Sequence, residues 1–401
     1  MTGGIQSPVI VFAPHPDDET LGAGGLMAQA VASGADVHVV LMTSGDGFRE
    51  DAARYYLSFD ISPEEYIHMG YERQTEAVEA LGHLGVSRDH VHFLGFPDGG
   101  LARLWLEAWS GTPWVSETTR VGQVPYITDV VEPSAPYVGA RLLQLLIRLL
   151  TQIRPRLVVM PTTFDQHPDH WMTNVFATAA VREWETQAGL AEPLERWGYL
   201  VHWNAWPLPV AYRPHLPTEP PENLRQPTGL KWVELSVDTR QAEQKRQALM
   251  AYESQVELIK PFMLAFVRRS EIFLLESQWT ETSRIVVPPP DRLAKLLGRV
   301  NPLKGAAWGR IGDHLEVTVD FDRPPTASMA LEVSLHGIGT GVHRVWRVTP
   351  EDPNSSVTGR QWRLSWPVSW YDGARELLAG IQLKRGAQEV GRLPFRLWEG
   401  L

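Results

Sequence analysis

Short apolar runs alternate with helical segments through the first 200 residues, and this alternation restricts the fold more than any other feature of the chain. The runs are rich in Val, Ile and Leu and occupy residues 9–12, 37–42, 91–94, 157–160 and 199–203. Strands that are apolar along most of their length are typical of a parallel sheet covered by helices on both faces. We therefore predict an α/β fold with a mostly parallel sheet, in which ligands bind beyond the carboxyl ends of the strands.

Helical periodicity fills most of the segments between these runs. Helices are predicted at residues 21–33, 64–84, 138–153, 171–184 and 243–259. The Pro-rich stretch 207–228 is predicted to be a loop.

A Trp-rich insertion at about residues 101–136 interrupts the alternation. It carries Trp105, Trp109, Trp114 and Tyr126 with little periodicity. Such rings stack well on sugars, so the insertion could form an aromatic wall for a glycan. Two other interpretations stay open: the Trp residues anchor the insertion to the rest of the fold, or they form an oligomer contact.

The character of the chain changes near residue 285. A Val-Val-Pro-Pro-Pro stretch at 286–290 suggests a boundary, and we predict a main domain at 1–285, a linker at 286–305 and a second domain at 306–401. Six alternating runs follow at 314–321, 327–335, 342–348, 360–366, 377–384 and 390–398. This spacing predicts a small, all-β, Ig-like sandwich. The six Trp residues of this domain are interpreted as core rather than as a carbohydrate surface.

Composition excludes several classes of function. The chain of 401 residues contains no cysteine, which excludes disulfides, thiol nucleophiles and metal sites built on thiolate. The net charge of −10 argues against nucleic acid or an anionic membrane as a partner. No apolar stretch approaches the length of a signal core or a membrane span, so we expect a cytoplasmic protein without stable membrane insertion.

A first polar cluster follows the first apolar run directly. It reads Pro-His-Pro-Asp-Asp-Glu-Thr at residues 14–20. His15 and Asp18 are three residues apart, a spacing that lets both side chains converge at a helix start, and their atoms suit zinc or another divalent ion. Asp17 lies between them and points elsewhere, so it could act as a base. The alternative is that the carboxylates only cap the helix.

A second polar cluster follows the fourth apolar run, at residues 161–170. It contains His167, Asp169 and His170, again with two imidazoles three residues apart at a helix start. Clusters on separate strands of one sheet can face a common cleft, and a catalytic metal site needs three ligands plus an open position. Together the two clusters predict such a site.

The two motifs resemble those of the PIG-L/LmbE family of metal-dependent N-acetylglucosaminyl deacetylases. That family has a first motif of the form Pro/Ala-His-Pro-Asp-Asp-Glu and a second of the form His-x-Asp-His, and this chain matches both within residues 1–285. The resemblance implies a Rossmann-like α/β sandwich. It also implies that His15, Asp18 and His170 are the metal ligands, with Zn²⁺ as the expected cofactor and Fe²⁺ as the alternative.

The resemblance further implies a set of catalytic and substrate-binding residues. Asp17 is the implied general base for the attacking water. His167 is the implied group that supports the oxyanion or protonates the leaving amine, and Asp169 would orient His167. Asp98, in the loop 95–100, and Arg73 on the second long helix resemble substrate-binding residues of the family.

Other candidate residues receive plainer interpretations. His38 and His92 lie in predicted strands and are interpreted as core or edge residues. His202 is interpreted as a residue of the strand 199–203, with a position lining the cleft as the less favoured alternative. The Ser-Gly-Asp-Gly stretch 44–47 is interpreted as a turn whose backbone lines the site. The glycines of 22–25 do not fit the dinucleotide-binding spacing, so we expect them to let a helix pack closely on the sheet.

The expected function is hydrolysis of the N-acetyl group of an N-acetylglucosamine-type substrate, a small molecule or a glycan, releasing acetate and a free amine. One alternative is the same chemistry on a non-sugar N-acyl metabolite. Another is a carbohydrate-binding protein with a vestigial site. The oligomeric state is left open, with a homo-oligomer among the alternatives.

Overall fold

The computed structural model describes residues 5–56, 60–225, 230–276, 302–386 and 388–399. They fall into two compact units. The first unit comprises the described residues within Met1–Val181, Ala191–Pro221 and Lys231–Trp279, and the second comprises those within Arg182–Leu190, Glu222–Leu230 and Thr280–Leu401.

The first unit contains a seven-stranded sheet with the strand order β3-β2-β1-β4-β5-β7-β6. Its strands are β1 (Val9–Ala13), β2 (Val37–Thr43), β3 (Val91–Phe96), β4 (Leu157–Pro161), β5 (Glu195–Tyr199), β6 (Trp232–Ser236) and β7 (Ser270–Leu275). The first five pair in parallel, and β7 and β6 extend the sheet in antiparallel pairing. The predicted Rossmann-like, mostly parallel architecture is confirmed, whereas the antiparallel extension was not predicted.

Nine helices occur among the described residues. They are α1 (Asp18–Ala32), α2 (Arg49–Tyr55), α3 (Pro63–His83), α4 (Leu101–Leu106), α5 (Gly139–Ile153), α6 (Pro168–Ala188), α7 (Glu222–Arg225), α8 (Thr239–Ala251) and α9 (Glu253–Ala265). The helix predicted at 243–259 is two helices, because the backbone leaves helical geometry at Tyr252. The stretch predicted as the loop 207–228 contains α7 within its described part.

Both faces of the sheet are covered, as the continuous apolar strands predicted. Val9, Val11 and Ala13 join a core cluster with residues of α1, α3 and α8. Ile10 and Phe12 point to the opposite face and are equally buried. The side chains of β1 alternate between two buried faces, which is why this strand shows no polar alternation.

Helix α1 lies unusually close to the sheet because of its glycines. A Cβ atom on Gly22 would lie only 2.1 Å from the ring of Tyr199 in β5. That ring is fully buried, and its hydroxyl donates to the backbone oxygen of Phe12 at 3.0 Å. The expected packing role of these glycines is confirmed.

The fifth strand ends earlier than expected. Residues 199–203 were predicted to be a strand, but β5 ends at Tyr199. The backbone N–H groups of Val201 and His202 instead donate to the carboxylate of Asp165, at 3.0 and 2.9 Å. A distant side chain therefore satisfies the backbone groups that a strand would have paired in the sheet.

The second unit contains two antiparallel sheets that share one core, so the predicted β-sandwich is confirmed. Their orders are β11-β10-β14-β15 and β12-β13-β9-β8. The strands are β8 (Leu303–Ile311), β9 (His314–Phe321), β10 (Met329–Ile338), β11 (His343–Val348), β12 (Ser355–Thr358), β13 (Gln361–Pro367), β14 (Glu376–Arg385) and β15 (Gln388–Trp398). Strand β8 begins inside the predicted linker, while the stretch 286–290 lies outside the described residues. The domain boundaries stay a prediction.

The Trp residues of this unit belong to its core, as interpreted from the sequence. Trp362, Trp366 and Trp398 are buried between the sheets. The other three pack against the same cluster while remaining partly exposed; they are Trp308, Trp346 and Trp370.

Among the residues that the structure describes, no helix combines the length and the apolar character needed to cross a membrane.

The close packing of α1 predicts opposite effects for two glycine-to-alanine substitutions. Gly22→Ala should lower the free energy of unfolding by about 1–3 kcal/mol, because the new methyl group overlaps the buried Tyr199 ring. Gly82→Ala, in the last turn of α3, meets open space and should raise it by up to about 1 kcal/mol. Denaturant unfolding of the two variants beside the wild type measures both effects. A neutral Gly22→Ala would contradict the packing argument.

Candidate active site

The predicted site residues meet at the edge of the sheet where the parallel strands end. His15 follows β1, Asp98 follows β3 and His167 follows β4. They border one cavity of about 320 Å³. Its lining residues are His15, Asp17, Asp18, Leu21, Gly47, Phe48, Arg73, Asp98, Gly99, His167, His202, Gln255, Ile259 and Phe262.

The three predicted metal ligands lie together and are buried. The Oδ2 atom of Asp18 lies 3.0 Å from Nδ1 of His15 and 3.1 Å from Nε2 of His170. A tetrahedral ion with bonds of about 2.0–2.1 Å keeps its ligand atoms roughly 3.3 Å apart. Two imidazoles and one carboxylate are a donor set that suits zinc or ferrous iron, and both imidazoles lie close to this spacing from Asp18.

His170 lies between two carboxylates. Its Nδ1 atom is 3.2 Å from Oδ2 of Asp165, on the side opposite Asp18. Burial lowers the pKa of His170, but Asp165 and Asp18 more than compensate and raise it to about 10. A carboxylate behind a ligating imidazole fixes the orientation of the ring and increases its basicity.

Asp165 is a residue of the site to which the sequence analysis assigned no role. Burial raises its pKa, yet the adjacent His170 brings it down to about 2. Its other oxygen accepts a hydrogen bond from the backbone of His167 at 2.9 Å. An acidic residue two positions before a candidate catalytic His was the available signal, but its contact with His170 depends on the tertiary fold.

His15 also lies between carboxylates, which corrects the role expected for Asp169. Nε2 of His15 is 3.0 Å from Asp98 and 3.2 Å from Asp169. The carboxylate of Asp169 also accepts from the backbone of Gly99 and Leu101, at 2.6 and 3.2 Å. Its side chain therefore holds His15 and the loop after β3 rather than His167.

The link between Asp169 and His167 runs through the backbone. The N–H of Asp169 donates to Nδ1 of His167 at 3.3 Å, which assigns the imidazole proton to Nε2. Burial and the nearby His15 and His170 lower the pKa of His167 to about 3. His167 is thus a neutral imidazole that can donate a hydrogen bond.

Asp17 occupies a strained backbone position on the cavity wall. Its φ angle is 117°, a conformation that non-glycine residues seldom adopt. The backbone N–H of Asp17 donates to Oε2 of the buried Glu19 at 3.2 Å, and Glu19 also accepts from Tyr252. Burial and the adjacent Asp18 raise the pKa of Asp17 well above its usual range.

Arg73 lines the cavity but is almost fully buried. Its guanidinium donates to the backbone oxygens of Pro16 and Gly45, at 2.7 and 2.9 Å, and lies 3.5 Å from Oδ2 of Asp17. Gly45 has a φ of +69°, and a Cβ there would lie 2.1 Å from the guanidinium. Arg73 therefore joins the loops after β1 and β2 beside the Asp17 carboxylate.

The loop at 44–47 and the Trp-rich insertion meet behind Asp98. The backbone N–H of Gly47 donates to Oδ2 of Asp98 at 2.9 Å, and Gly47 lines the cavity, as expected for this turn. Tyr126, from the insertion, donates its hydroxyl proton to the buried Asp46 at 2.6 Å. Burial and the neighbouring Asp98 raise the pKa of Asp46 to about 7.

His202 lines the cavity, contrary to its interpretation as a strand residue. Because β5 ends at Tyr199, the following segment turns over the site. The ring of His202 lies 4.6 Å from that of His170 and stacks on Phe262 at 5.9 Å between ring centroids.

Comparison with known proteins supports the resemblance. Residues 10–181 match the PIG-L family model, described as GlcNAc-PI de-N-acetylase, which confirms the resemblance over that segment, somewhat less than half of the chain. A 1D-myo-inositol 2-acetamido-2-deoxy-alpha-D-glucopyranoside deacetylase from Mycobacterium sp. (strain KMS) is 33% identical, over 46% of this chain and 56% of that protein. The protein of the same name from Mycolicibacterium smegmatis is 32% identical, over 48% and 59%. The match spans little more than half the length of these relatives.

Two solved structures are also similar. A conserved protein from Thermus thermophilus has a TM-score of 0.40 and 24% identity, covering 70% of this chain and 100% of that one. An N,N'-diacetylchitobiose deacetylase from Pyrococcus horikoshii, complexed with its inhibitor, has a TM-score of 0.39 and 20% identity, covering 66% and 82%.

The position of Asp165 predicts that it supports metal binding without touching the metal. Asp165→Asn should weaken metal affinity by about 10–100-fold, because an amide is a poorer partner for Nδ1 of His170. Titration with Zn²⁺, after a chelator has removed bound metal from the protein, measures this effect. Thermal unfolding shows whether the variant keeps its fold. Asp372→Asn, at an exposed position of the second unit, is the matched control. Unchanged affinity in Asp165→Asn would remove Asp165 from the site.

Proposed function

We propose that this protein is a metal-dependent N-deacetylase that hydrolyses the N-acetyl group of an N-acetylglucosamine-type substrate. One observation carries the proposal: two candidate metal ligands, His15 and Asp18, border one cavity together with the strained Asp17 carboxylate and a neutral imidazole donor. The third candidate ligand, His170, lies 3.1 Å from Asp18. The reaction releases acetate and a free amine. The curated relatives, named as deacetylases of an acetamido-glucosyl inositol, support the same chemistry.

His15, Asp18 and His170 would hold the metal, and their donor set favours Zn²⁺ with Fe²⁺ as the alternative. A divalent ion at this position would lower the pKa of a water molecule towards ~7 and polarise the amide carbonyl. Asp98, Asp165 and Asp169 keep the two imidazoles in place from behind.

Asp17 is the proposed general base. Its carboxylate borders the cavity next to Asp18 and can take the proton of the attacking water. The guanidinium of Arg73, 3.5 Å away, favours the ionised form and fixes the carboxylate from the side. The backbone strain at Asp17 is consistent with a side chain held for function.

His167 is the proposed oxyanion donor. Its Nδ1 accepts from the Asp169 backbone, so that Nε2–H is the group available to the substrate. A preorganised donor aimed at the developing negative charge lowers the barrier without reorganising during the reaction. Its low pKa favours this hydrogen-bonding role over permanent positive charge.

The cavity favours a substrate with one sugar ring at the site. Its volume of about 320 Å³ lies at the lower end of the range for small-molecule pockets. Apolar groups from Leu21, Phe48 and Phe262 line it together with the polar Arg73 and Asp98. A small N-acetylglucosaminyl conjugate fits this mixture, and the buried Asp98 and Arg73 border the space for its hydroxyl groups.

The Trp-rich insertion does not favour a glycan as the substrate. Trp105 is fully buried and packs edge to face against Trp109 and Phe176. These contacts anchor the insertion to the first unit, which favours that interpretation of Trp105 over a sugar-stacking wall.

The assignment of Asp17 as the base predicts that its substitution lowers turnover without affecting metal binding. Asp17→Asn should retain bound metal and lose about 10²–10⁴-fold in kcat, because the amide cannot take a proton. Acetate release from N-acetylglucosaminyl conjugates, N-acetylated glycans and non-sugar N-acyl metabolites measures activity and compares the substrate classes. Glu79→Gln, at an exposed position of α3, is the control. Normal turnover by Asp17→Asn would exclude Asp17 as the base, and a metal-loaded wild type inactive on every amide would support a vestigial site.

The assignment of His167 predicts a loss confined to the chemical step. His167→Ala should reduce kcat by about 10²–10³-fold, as expected when one oxyanion donor is removed. His167→Gln retains an N–H donor and should recover part of the rate. Steady-state kinetics of both variants, with metal content measured in parallel, test this role. A full rate in His167→Ala at unchanged metal content is the contrary outcome.

A further inference from the structure

A second cluster of His and Asp side chains lies at the amino ends of two parallel strands, opposite the candidate active site. Asp36 immediately precedes β2 and His38 is its second residue, while His90 immediately precedes β3 and His92 is its second residue. The parallel pairing of Val39 with Val91 brings the starts of the two strands side by side. The cluster therefore lies at the amino ends of strands whose carboxyl ends border the candidate active site.

The four side chains contact one another closely. Nδ1 of His90 lies 3.1 Å from Oδ1 of Asp36, and Nε2 of His38 lies 3.4 Å from Oδ2 of the same carboxylate. Single ligand atoms of Asp36, His38 and His90 all lie within 4.8 Å of one another. The rings of His38 and His90 stack with their centroids 4.1 Å apart.

His92 fixes the orientation of His38. Its Nε2 atom lies 3.1 Å from Nδ1 of His38. When Nδ1 of His38 donates to His92, the lone pair of Nε2 lies on the side of Asp36. A hydrogen bond to the far nitrogen is the usual way to set the tautomer of a ligating imidazole.

A nearby cation, Arg88, is already engaged with other groups. It pairs with Asp129 and donates to the backbone oxygen of Val91. Neutral imidazole is the form that binds metals.

We propose that Asp36, His38 and His90 form a second binding site for a divalent transition-metal ion such as Zn²⁺, with His92 orienting His38. Two imidazoles and one carboxylate match the preferences of zinc. The side chains of His90 and Asp36 are 36% and 45% exposed, so an ion can enter from solvent and water can complete its coordination. Bound metal would join the starts of β2 and β3.

Zn²⁺ titration of the 401-residue protein, after a chelator has removed bound metal, tests the site by stoichiometry. The wild type should bind two equivalents at micromolar zinc. The double variant His38→Ala/His90→Ala should bind one, and His170→Ala should retain the equivalent at the second site. The double variant His68→Ala/His83→Ala, with both residues on α3 outside the cluster, is the control and should bind two.

Two further measurements test whether a variant loses zinc only because it misfolds, and they distinguish zinc binding at this site from binding at the candidate active site. The more exposed single variant His90→Gln should lose the second equivalent while its melting temperature in chelator equals that of the wild type. Added Zn²⁺ should raise the melting temperature of His170→Ala but not that of the variant that also lacks His38 and His90. None of these readouts depends on deacetylase activity.

The proposal is overturned if the wild type binds a single equivalent that His38→Ala/His90→Ala still binds. It is also overturned if the second equivalent binds only at millimolar zinc, or binds equally well to His38→Ala/His90→Ala.

Discussion

The carboxylate of Asp18, held between the imidazoles of His15 and His170, is the contact on which the candidate site depends. It joins two segments that lie about 150 residues apart in the sequence but at adjacent strand ends. Buried charges are costly unless they are paired. Each imidazole accordingly lies between carboxylates. Asp18 is on one side of both rings, and the other side is occupied by Asp165 at His170 and by Asp98 and Asp169 at His15. A metal ion would replace protons within a network that already has its negative charge in place.

The same network explains how a strained residue persists at Asp17. A backbone in this conformation costs about 1–3 kcal/mol and is kept only where several surrounding contacts stabilise it. Here the N–H of Asp17 is held by Glu19, and the preceding carbonyl, that of Pro16, is held by Arg73. Arg73 can reach both loops only because Gly45 leaves room for the guanidinium. The conformation of Asp17, the position of Arg73 and the absence of a side chain at Gly45 therefore depend on one another.

Residue patterns predicted the parts of this structure that are set locally. The parallel strands, most helices and the His-x-x-Asp pair at the start of α1 each follow from a short stretch of sequence. The missed features depend on contacts between distant segments. Strand β5 ends at Tyr199 because the distant Asp165 captures the backbone of Val201 and His202, and His202 enters the cavity for the same reason. The roles of Asp165, Glu19 and Tyr126 were equally hidden, since an acidic or aromatic residue does not reveal its partner from its neighbours in sequence.

Similar sets of His and Asp side chains lie at the carboxyl ends and at the amino ends of the strands, but in different surroundings. A metal ion bound at one end would therefore have a different effect from one bound at the other. At the carboxyl edge, the side chains of His15, Asp18 and His170 are at most 10% exposed, and Asp17 stands beside them. Electrostatic interactions are strong in such a water-poor site, which is what catalysis requires. At the amino edge, Asp36 and His90 face solvent, where a bound ion is screened and polarises a ligand less. His38, however, is fixed within a central strand by His92. Metal binding there would therefore act on the stability of the sheet rather than on a reaction.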